Sequence, residues 1–182
     1  VKAVINFFGG PGTGKSTLAS NLFVEMKKRA MSCELINEYA KELTWESRHN
    51  ILKHDQLYIF AKQHRKIYRV AENVDYAICD SPLLLSAMYY DKQYNVYDED
   101  IFDSLVVDTF NKYPNLNFYI KRSTLYDPIG RNQTEDEAKE IDERILRYLD
   151  KHRIECNVIG LNFDYNINHI LDTIRKQNVN SR

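Results

Sequence analysis

The residues best suited to chemistry stand together near the start of the chain, in Gly9-Gly10-Pro11-Gly12-Thr13-Gly14-Lys15-Ser16-Thr17. This run fits G-x-x-x-x-G-K-[ST] at every position. Small residues let consecutive backbone N–H groups turn inward around a chain of phosphates, and a helix beginning near Lys15 adds its positive end. Lys15 is placed to reach β- and γ-phosphates, Ser16 to ligate Mg²⁺ through its hydroxyl, and Thr17 to contact an α-phosphate. The chain has six glycines, and Gly9, Gly10, Gly12 and Gly14 are four of them; Gly130 and Gly160 stand alone. At a glycine frequency of about 7%, chance yields such a match in on the order of 1% of chains this long.

These residues need a frame. Apolar runs of strand length alternate with segments of helical spacing. Strands are expected at Ala3–Phe8, Cys33–Asn37, Tyr76–Cys79, Leu116–Ile120 and Ile154–Ile159. The first helix is expected from Lys15 to Arg29, with Leu18, Leu22, Phe23 and Met26 at helical spacing. A long one should cover about Asp55 to Asn73, with Leu57, Phe60, Ala61, Ile67, Tyr68 and Ala71 on one face. Helical material is also expected at Pro82–Tyr90, Asp100–Lys112, Thr134–Lys151 and Tyr165–Lys176, the third of these opening on a Thr134/Glu137 capping box. Five nearly continuous apolar strands alternating with helices predict an α/β fold: one domain over residues 1–182, with a parallel sheet and helices on both faces.

Composition agrees with a packed domain. The 182 residues are 43% hydrophobic and 28% charged, and 25 Lys+Arg against 26 Asp+Glu leave a net charge of −1. That balance provides no global attraction to nucleic acid or an anionic membrane. No apolar run approaches the ~20 residues needed to span a bilayer, and Val4 to Phe8 runs straight into glycines, unlike a signal peptide. Cys33, Cys79 and Cys156 are odd in number, form no CxxC pair, and fall in the expected strands. They read as small buried thiols of a reducing, cytoplasmic compartment. His49, His54, His64, His152 and His169 show no zinc-ligand spacing.

Several phosphate-loop chemistries are disfavoured by what is missing. The third strand ends Ile78-Cys79-Asp80-Ser81-Pro82, without the following Glu that a hydrolytic motor uses to polarise water. Asn111-Lys112-Tyr113-Pro114 begins like a guanine-reading N-K-x-D motif and fails at its fourth residue. A small phosphotransferase remains, which must hold Mg²⁺ and place an acceptor in line with the γ-phosphate. Ligands of open α/β sheets bind at the carboxyl ends of strands. Glu38 and Asp80 stand at two such ends. Asp80 is the better candidate for the Mg²⁺ shell, together with Ser16, and Glu38 for accepting a hydrogen bond from the acceptor hydroxyl or acting as its base. The two roles are also interchangeable on the sequence. Lys121-Arg122 and Arg131, in a segment of about 121–133 with Pro and Gly hinges, read as a lid whose arginines close over phosphoryl oxygens.

Together, the phosphate loop, Glu38-Tyr39-Ala40-Lys41-Glu42, Asp80-Ser81-Pro82 and Tyr126-Asp127-Pro128-Ile129-Gly130-Arg131 resemble the ribosylnicotinamide-kinase-like ATP-binding domains of NAD-salvage and phage proteins. More broadly they resemble the nucleoside and nucleoside-monophosphate kinase fold. The resemblance implies a three-layer P-loop NTPase with strand order 2-3-1-4-5, ATP and Mg²⁺ as cofactors, and a small nucleoside-like acceptor between the long helix and strand two or three. Ser81 stands where deoxynucleoside and thymidylate-type kinases carry Arg, which argues against a monophosphate acceptor. Gln63 and His64 are candidates for reading the acceptor. Tyr39, Trp45 and Tyr68 are candidates for stacking on it, and Tyr89, Tyr90, Tyr94 and Tyr97 for capping it. Two other functions stand beside this one. A kinase of polynucleotide ends or modified DNA bases would use Lys62, Arg65, Lys66 and Arg69 as a phosphate-tracking groove, though that run also reads as a solvated face. The other is an ATP-sensing regulatory module. The sequence carries no sign of an oligomeric state.

Overall fold

The computed structural model describes residues 1–122, 134–160 and 162–180. Five strands, β1 (Ala3–Phe8), β2 (Cys33–Ile36), β3 (Tyr76–Cys79), β4 (Asn115–Ile120) and β5 (Asn157–Ile159), form one parallel sheet. Their order is β2-β3-β1-β4-β5. β1 lies at the centre, with Ile5 opposite Ile78 on one side and Leu116 on the other. The connecting helices are α1 (Lys15–Lys28), α2 (Tyr39–Trp45), α3 (His49–His54), α4 (Gln56–Ala71), α5 (Leu84–Met88), α6 (Glu99–Asn111), α7 (Glu135–Lys151) and α8 (Phe163–Asn180).

The alternation of side chains along β1 divides the core in two. Ala3, Ile5 and Phe7 pack with Leu18, Leu22 and Met26 of α1 and Ile167, Ile170, Leu171 and Ile174 of α8. Val4 and Phe8 face the other way, onto Phe60 and Ile67 of α4, Leu84 and Met88 of α5, Phe102 and Val106 of α6, and Ile141 and Ile145 of α7. Three layers result, and all six β1 residues are buried. Asn6 is the one polar residue in that strand. Its amide donates to the side-chain oxygens of Asn115 (2.9 Å) and Asn117 (3.0 Å), so a polar group at the heart of the sheet is satisfied across β4.

Four expectations need correction. The fifth strand begins at Asn157, and Asn157 and Val158 are exposed, because β5 is an edge with a partner on one side only. Cys156 therefore precedes the strand and is half-buried, whereas Cys33 and Cys79 are buried inside theirs. The buried face of α4 is Gln56, Ile59, Phe60, Gln63, Ile67 and Ala71, with Ala61 and Tyr68 turned outward. Two glutamines occupy positions where the apolar pattern looks for hydrophobes, which rotates the apparent stripe. Finally, α2 and α3 occupy 39–54, a region whose residues carry no long helical period. The turn between them passes through Ser47 at φ 57°, and α4 opens afresh with Asp55 accepting from the Tyr58 N–H at 3.0 Å.

The expected lid lies outside the described residues except for Lys121 and Arg122, and Arg131 lies outside them altogether. Its far flank is the start of α7, where the Thr134 side chain accepts from the Glu137 N–H (3.3 Å) and the Glu137 carboxylate accepts from the Thr134 N–H (2.6 Å). The capping box is thus present as expected. Thr134→Ala should lower stability by about 1 kcal/mol, read as a shift of the denaturant midpoint at unchanged slope.

Candidate functional site

β1 ends at Phe8, and the glycine-rich loop turns directly from it into α1. Gly14 caps α1 in the left-handed region (φ 85°, ψ 15°), a conformation that L side chains rarely adopt. The loop is tied internally. The Lys15 ammonium donates to the Gly9 carbonyl (2.8 Å) and the Gly10 carbonyl (2.9 Å), and the Thr13 hydroxyl donates to the Gly10 carbonyl (3.0 Å).

One cavity of about 380 Å³ opens on this loop. Pro11, Gly12, Gly14, Lys15, Ser16 and Thr17 form one wall. The opposite end is built by Glu38, Lys41 and Thr44 after β2, Gln56, Ile59 and Gln63 of α4, and Ser81, Leu85 and Tyr89 after β3. The far end thus mixes charged and polar side chains with the apolar Ile59 and Leu85. Gln63 is buried at 3% exposure. Its oxygen accepts from the Tyr39 N–H at 2.9 Å and its NH₂ meets the Cys79 thiol at 3.7 Å. Burial pushes that thiol up to about 12, so Cys79 remains protonated. Tyr89 is likewise pushed up, by burial first and by the negative charge of Glu38 second.

Glu38 is at the N-cap position of α2, half-buried, and lines the cavity. Asp80 follows β3 and is 4% exposed. It does not itself line the cavity, but its Oδ1 is buried and has no hydrogen-bond partner among the described residues. A buried carboxylate oxygen without a donor is costly unless a cation compensates it. Asp80 therefore fits a divalent cation by its chemistry, as do Ser16 and Glu38, which line the cavity. Magnesium takes one or two protein oxygens and completes its shell with phosphate and water. Arg122, immediately after β4, is held by the loop. Its guanidinium donates to the Pro11 carbonyl (2.9 Å), the Ala138 carbonyl (3.1 Å) and the Asp142 carboxylate (2.6 Å). The second oxygen of Asp142 accepts from the Gly10 N–H at 2.6 Å.

A family model described as an AAA domain (AAA_28) matches residues 4–164. The chain belongs to this family. The AAA domain also has solved structural neighbours. Deoxyadenosine kinase from M. mycoides, solved with products dCMP and a flexible dCDP bound, superposes with a TM-score of 0.61 at 16% identity, over 95% of this chain and 99% of that one. The same kinase with bound dATP gives 0.53 at 21% identity, over 94% and 99%. NadR in complex with NR gives 0.63 at 19% identity; 93% of this chain is covered, and it spans about half (51%) of NadR. The fold is that of P-loop kinases, with the strand order that the resemblance implied. A search of curated protein sequences finds no match.

Of the other sequence candidates, Gln63, Glu38 and Tyr89 line the cavity of the AAA domain. His64 does not: it stacks on Phe60 and hydrogen-bonds the Tyr113 hydroxyl at 2.9 Å, away from the site. Tyr39 gives its hydroxyl to Tyr58 (2.9 Å), while Trp45 and Tyr68 are 66% and 52% exposed. Tyr90 and Tyr94 line a separate surface cavity. Lys66 pairs with Glu42 of α2, and Lys62 and Arg65 lie over Tyr58 and Tyr68 of α4, so these three cations already have partners within the chain. Asp142 carried no sequence signal, because it is one carboxylate among many in a charged helix.

A Cβ added at Gly10 would stand 2.6 Å from the Asp142 carboxylate, 2.7 Å from the Ala138 carbonyl and 2.9 Å from the Arg122 guanidinium. Here glycine is needed for close approach. Gly10→Ala should cost about 1–3 kcal/mol in denaturant unfolding, because backbone and a buried ion pair must both give way.

Proposed function

We propose that this chain is an ATP- and Mg²⁺-dependent phosphotransferase that moves the γ-phosphate of ATP to a hydroxyl of a small nucleoside-type acceptor. The observation that carries this reading is one cavity with the phosphate loop at one end and, at the other, a mixed wall in which Gln56 and Gln63 stand beside the apolar Ile59 and Leu85. A donor and a ring-bearing acceptor placed in it would meet at Lys15, Glu38 and Ser81. The structural neighbours support the reading, since one is a deoxyadenosine kinase and another was solved with NR.

The roles follow from placement. The loop amides and Lys15 bind the triphosphate and offset the charge that develops on the transferring group. Mg²⁺, held by Ser16 and Asp80, would supply charge neutralisation to the phosphate oxygens. Glu38 accepts a hydrogen bond from the acceptor hydroxyl and takes its proton. Arg122, expected to close over phosphoryl oxygens, is instead ion-paired with Asp142 and bonded to the Pro11 carbonyl, so it braces the loop; Arg131 is left to add positive charge around the phosphates. Gln63 has one acceptor site and one donor site left after Tyr39 and Cys79, a pair that matches the amide edge of a base. The apolar neighbours Ile59 and Leu85 would take the ring face.

Transfer of labelled γ-phosphate tests this, using a panel of nicotinamide riboside, common nucleosides, their monophosphates, and DNA with and without hydroxymethylated bases. A labelled nucleoside-type product is expected. Label on DNA alone, or ATP binding with no acceptor labelled, would replace the reading by a polynucleotide kinase or an ATP-sensing module. Lys15→Ala should cut turnover by on the order of 10²–10³-fold or more in a folded protein. Asp80→Asn should move the Mg²⁺ dependence to higher concentration, measured as rate against free Mg²⁺. An unchanged midpoint would remove Asp80 from the metal shell.

A further inference from the structure

The contacts of the Gly9–Gly10 peptide unit point beyond the site residues already assigned. Its carbonyl, that of Gly9, accepts from the Lys15 ammonium at 2.8 Å. Its N–H, that of Gly10, donates to Asp142 at 2.6 Å. One planar peptide therefore carries Lys15 at one end and a carboxylate from α7 at the other. Peptide planarity means that the two ends cannot turn independently. A short charge-assisted bond at the N–H also polarises the unit and strengthens its carbonyl as an acceptor.

Asp142 is itself fixed. Its side chain is 11% exposed, that of its partner Arg122 10%, and the two are 2.6 Å apart. Arg122 in turn donates to the Pro11 carbonyl within the loop and to the Ala138 carbonyl one turn before Asp142. The pair thus joins the loop to the two segments that border 123–133, namely the end of β4 and the first turns of α7. A buried ion pair contributes little net stability on average, but it holds a register where every lone pair and donor is used.

We propose that Asp142 is a positioning residue for Lys15. It acts through the Gly9–Gly10 peptide, and Arg122 holds its carboxylate in place. The inference rests on the phosphate loop being an ATP site. It assigns Asp142 no contact with substrate. It also makes the placement of Lys15 depend on the seating of α7, so a displacement of the segment bordering 123–133 would be felt at the lysine.

The test is a double-mutant cycle on ATP·Mg²⁺ affinity, measured by calorimetry without acceptor. It uses the full chain as wild type, Lys15→Ala, Asp142→Asn and the double variant. Glu143→Gln, an exposed neighbour on α7, serves as control. Asp142→Asn should weaken ATP about 10- to 100-fold in the wild-type background and by less than about twofold once Lys15 is gone. Glu143→Gln should leave the affinity unchanged. If Asp142→Asn unfolds the chain, Asp142→Glu keeps the charge, displaces the carboxylate, and should show the same dependence on Lys15. In the ¹H–¹⁵N spectrum the Gly10 amide proton should move upfield when the carboxylate is lost. Equal weakening in both backgrounds, or none in either, would overturn the positioning role while leaving the phosphotransferase reading intact. Failure of the folded wild type to bind ATP would overturn that reading, and this inference with it.

Discussion

The site depends on how firmly β1 is packed and paired at the centre of the sheet. That strand is buried on both faces and hydrogen-bonded on both edges, to β3 and β4, so its carboxyl end is held from every side. The loop that leaves Phe8 inherits a fixed origin, and the loop's other end is fixed by α1 packing Leu18 and Leu22 beneath the sheet. A loop anchored at both ends can hold its amides converged, which is what an anion-binding concavity requires. β3 runs beside β1 in parallel register, so Asp80 and Ser81 emerge from the same edge of the sheet. The parallel arrangement thus gathers chemistry from distant parts of the chain at one end.

Charge is arranged around that anchor with little freedom. Arg122 and Asp142 sit in a protein environment where an unpaired charge would be expensive, and each is committed to the other and to loop backbone. Asp80 contrasts with them, because its buried Oδ1 has no hydrogen-bond partner among the described residues. The two carboxylates differ in their surroundings: Asp142 is matched within the chain, whereas the Asp80 Oδ1 is buried without a donor among the described residues. No helix among the described residues is long and apolar enough to cross a membrane.

Much of this was legible from residue types. The loop motif, Glu38 and Asp80 at strand ends, and the Thr134/Glu137 box are local signals, and each is where short-range chemistry put it. The alternation of apolar runs and helical spacing was enough for a parallel α/β sheet. What escaped was non-local. Gln56 and Gln63 are buried on α4 because Leu52, Tyr39 and Cys79 supply their partners, and no periodicity contains that fact. His64 looked like a site residue by adjacency, but a one-residue step along a helix turns a side chain by about 100°, here toward Tyr113. The helices in 39–54 are short and depend on packing, and Asp142 gains meaning only when α7 returns to the loop more than a hundred residues after Gly10.

The proposed phosphotransfer requires the donor phosphates and a nucleoside-type acceptor to share one cavity, meeting beside Lys15 and Glu38. Its most direct test is binding of a bisubstrate compound, in which adenosine is joined through a phosphate chain to a nucleoside hydroxyl. It should bind one per chain, displace ATP and nucleoside together, and exceed ATP alone in affinity by about 100-fold or more. A compound that binds no tighter than ATP, or that leaves the nucleoside bound, would contradict the shared site.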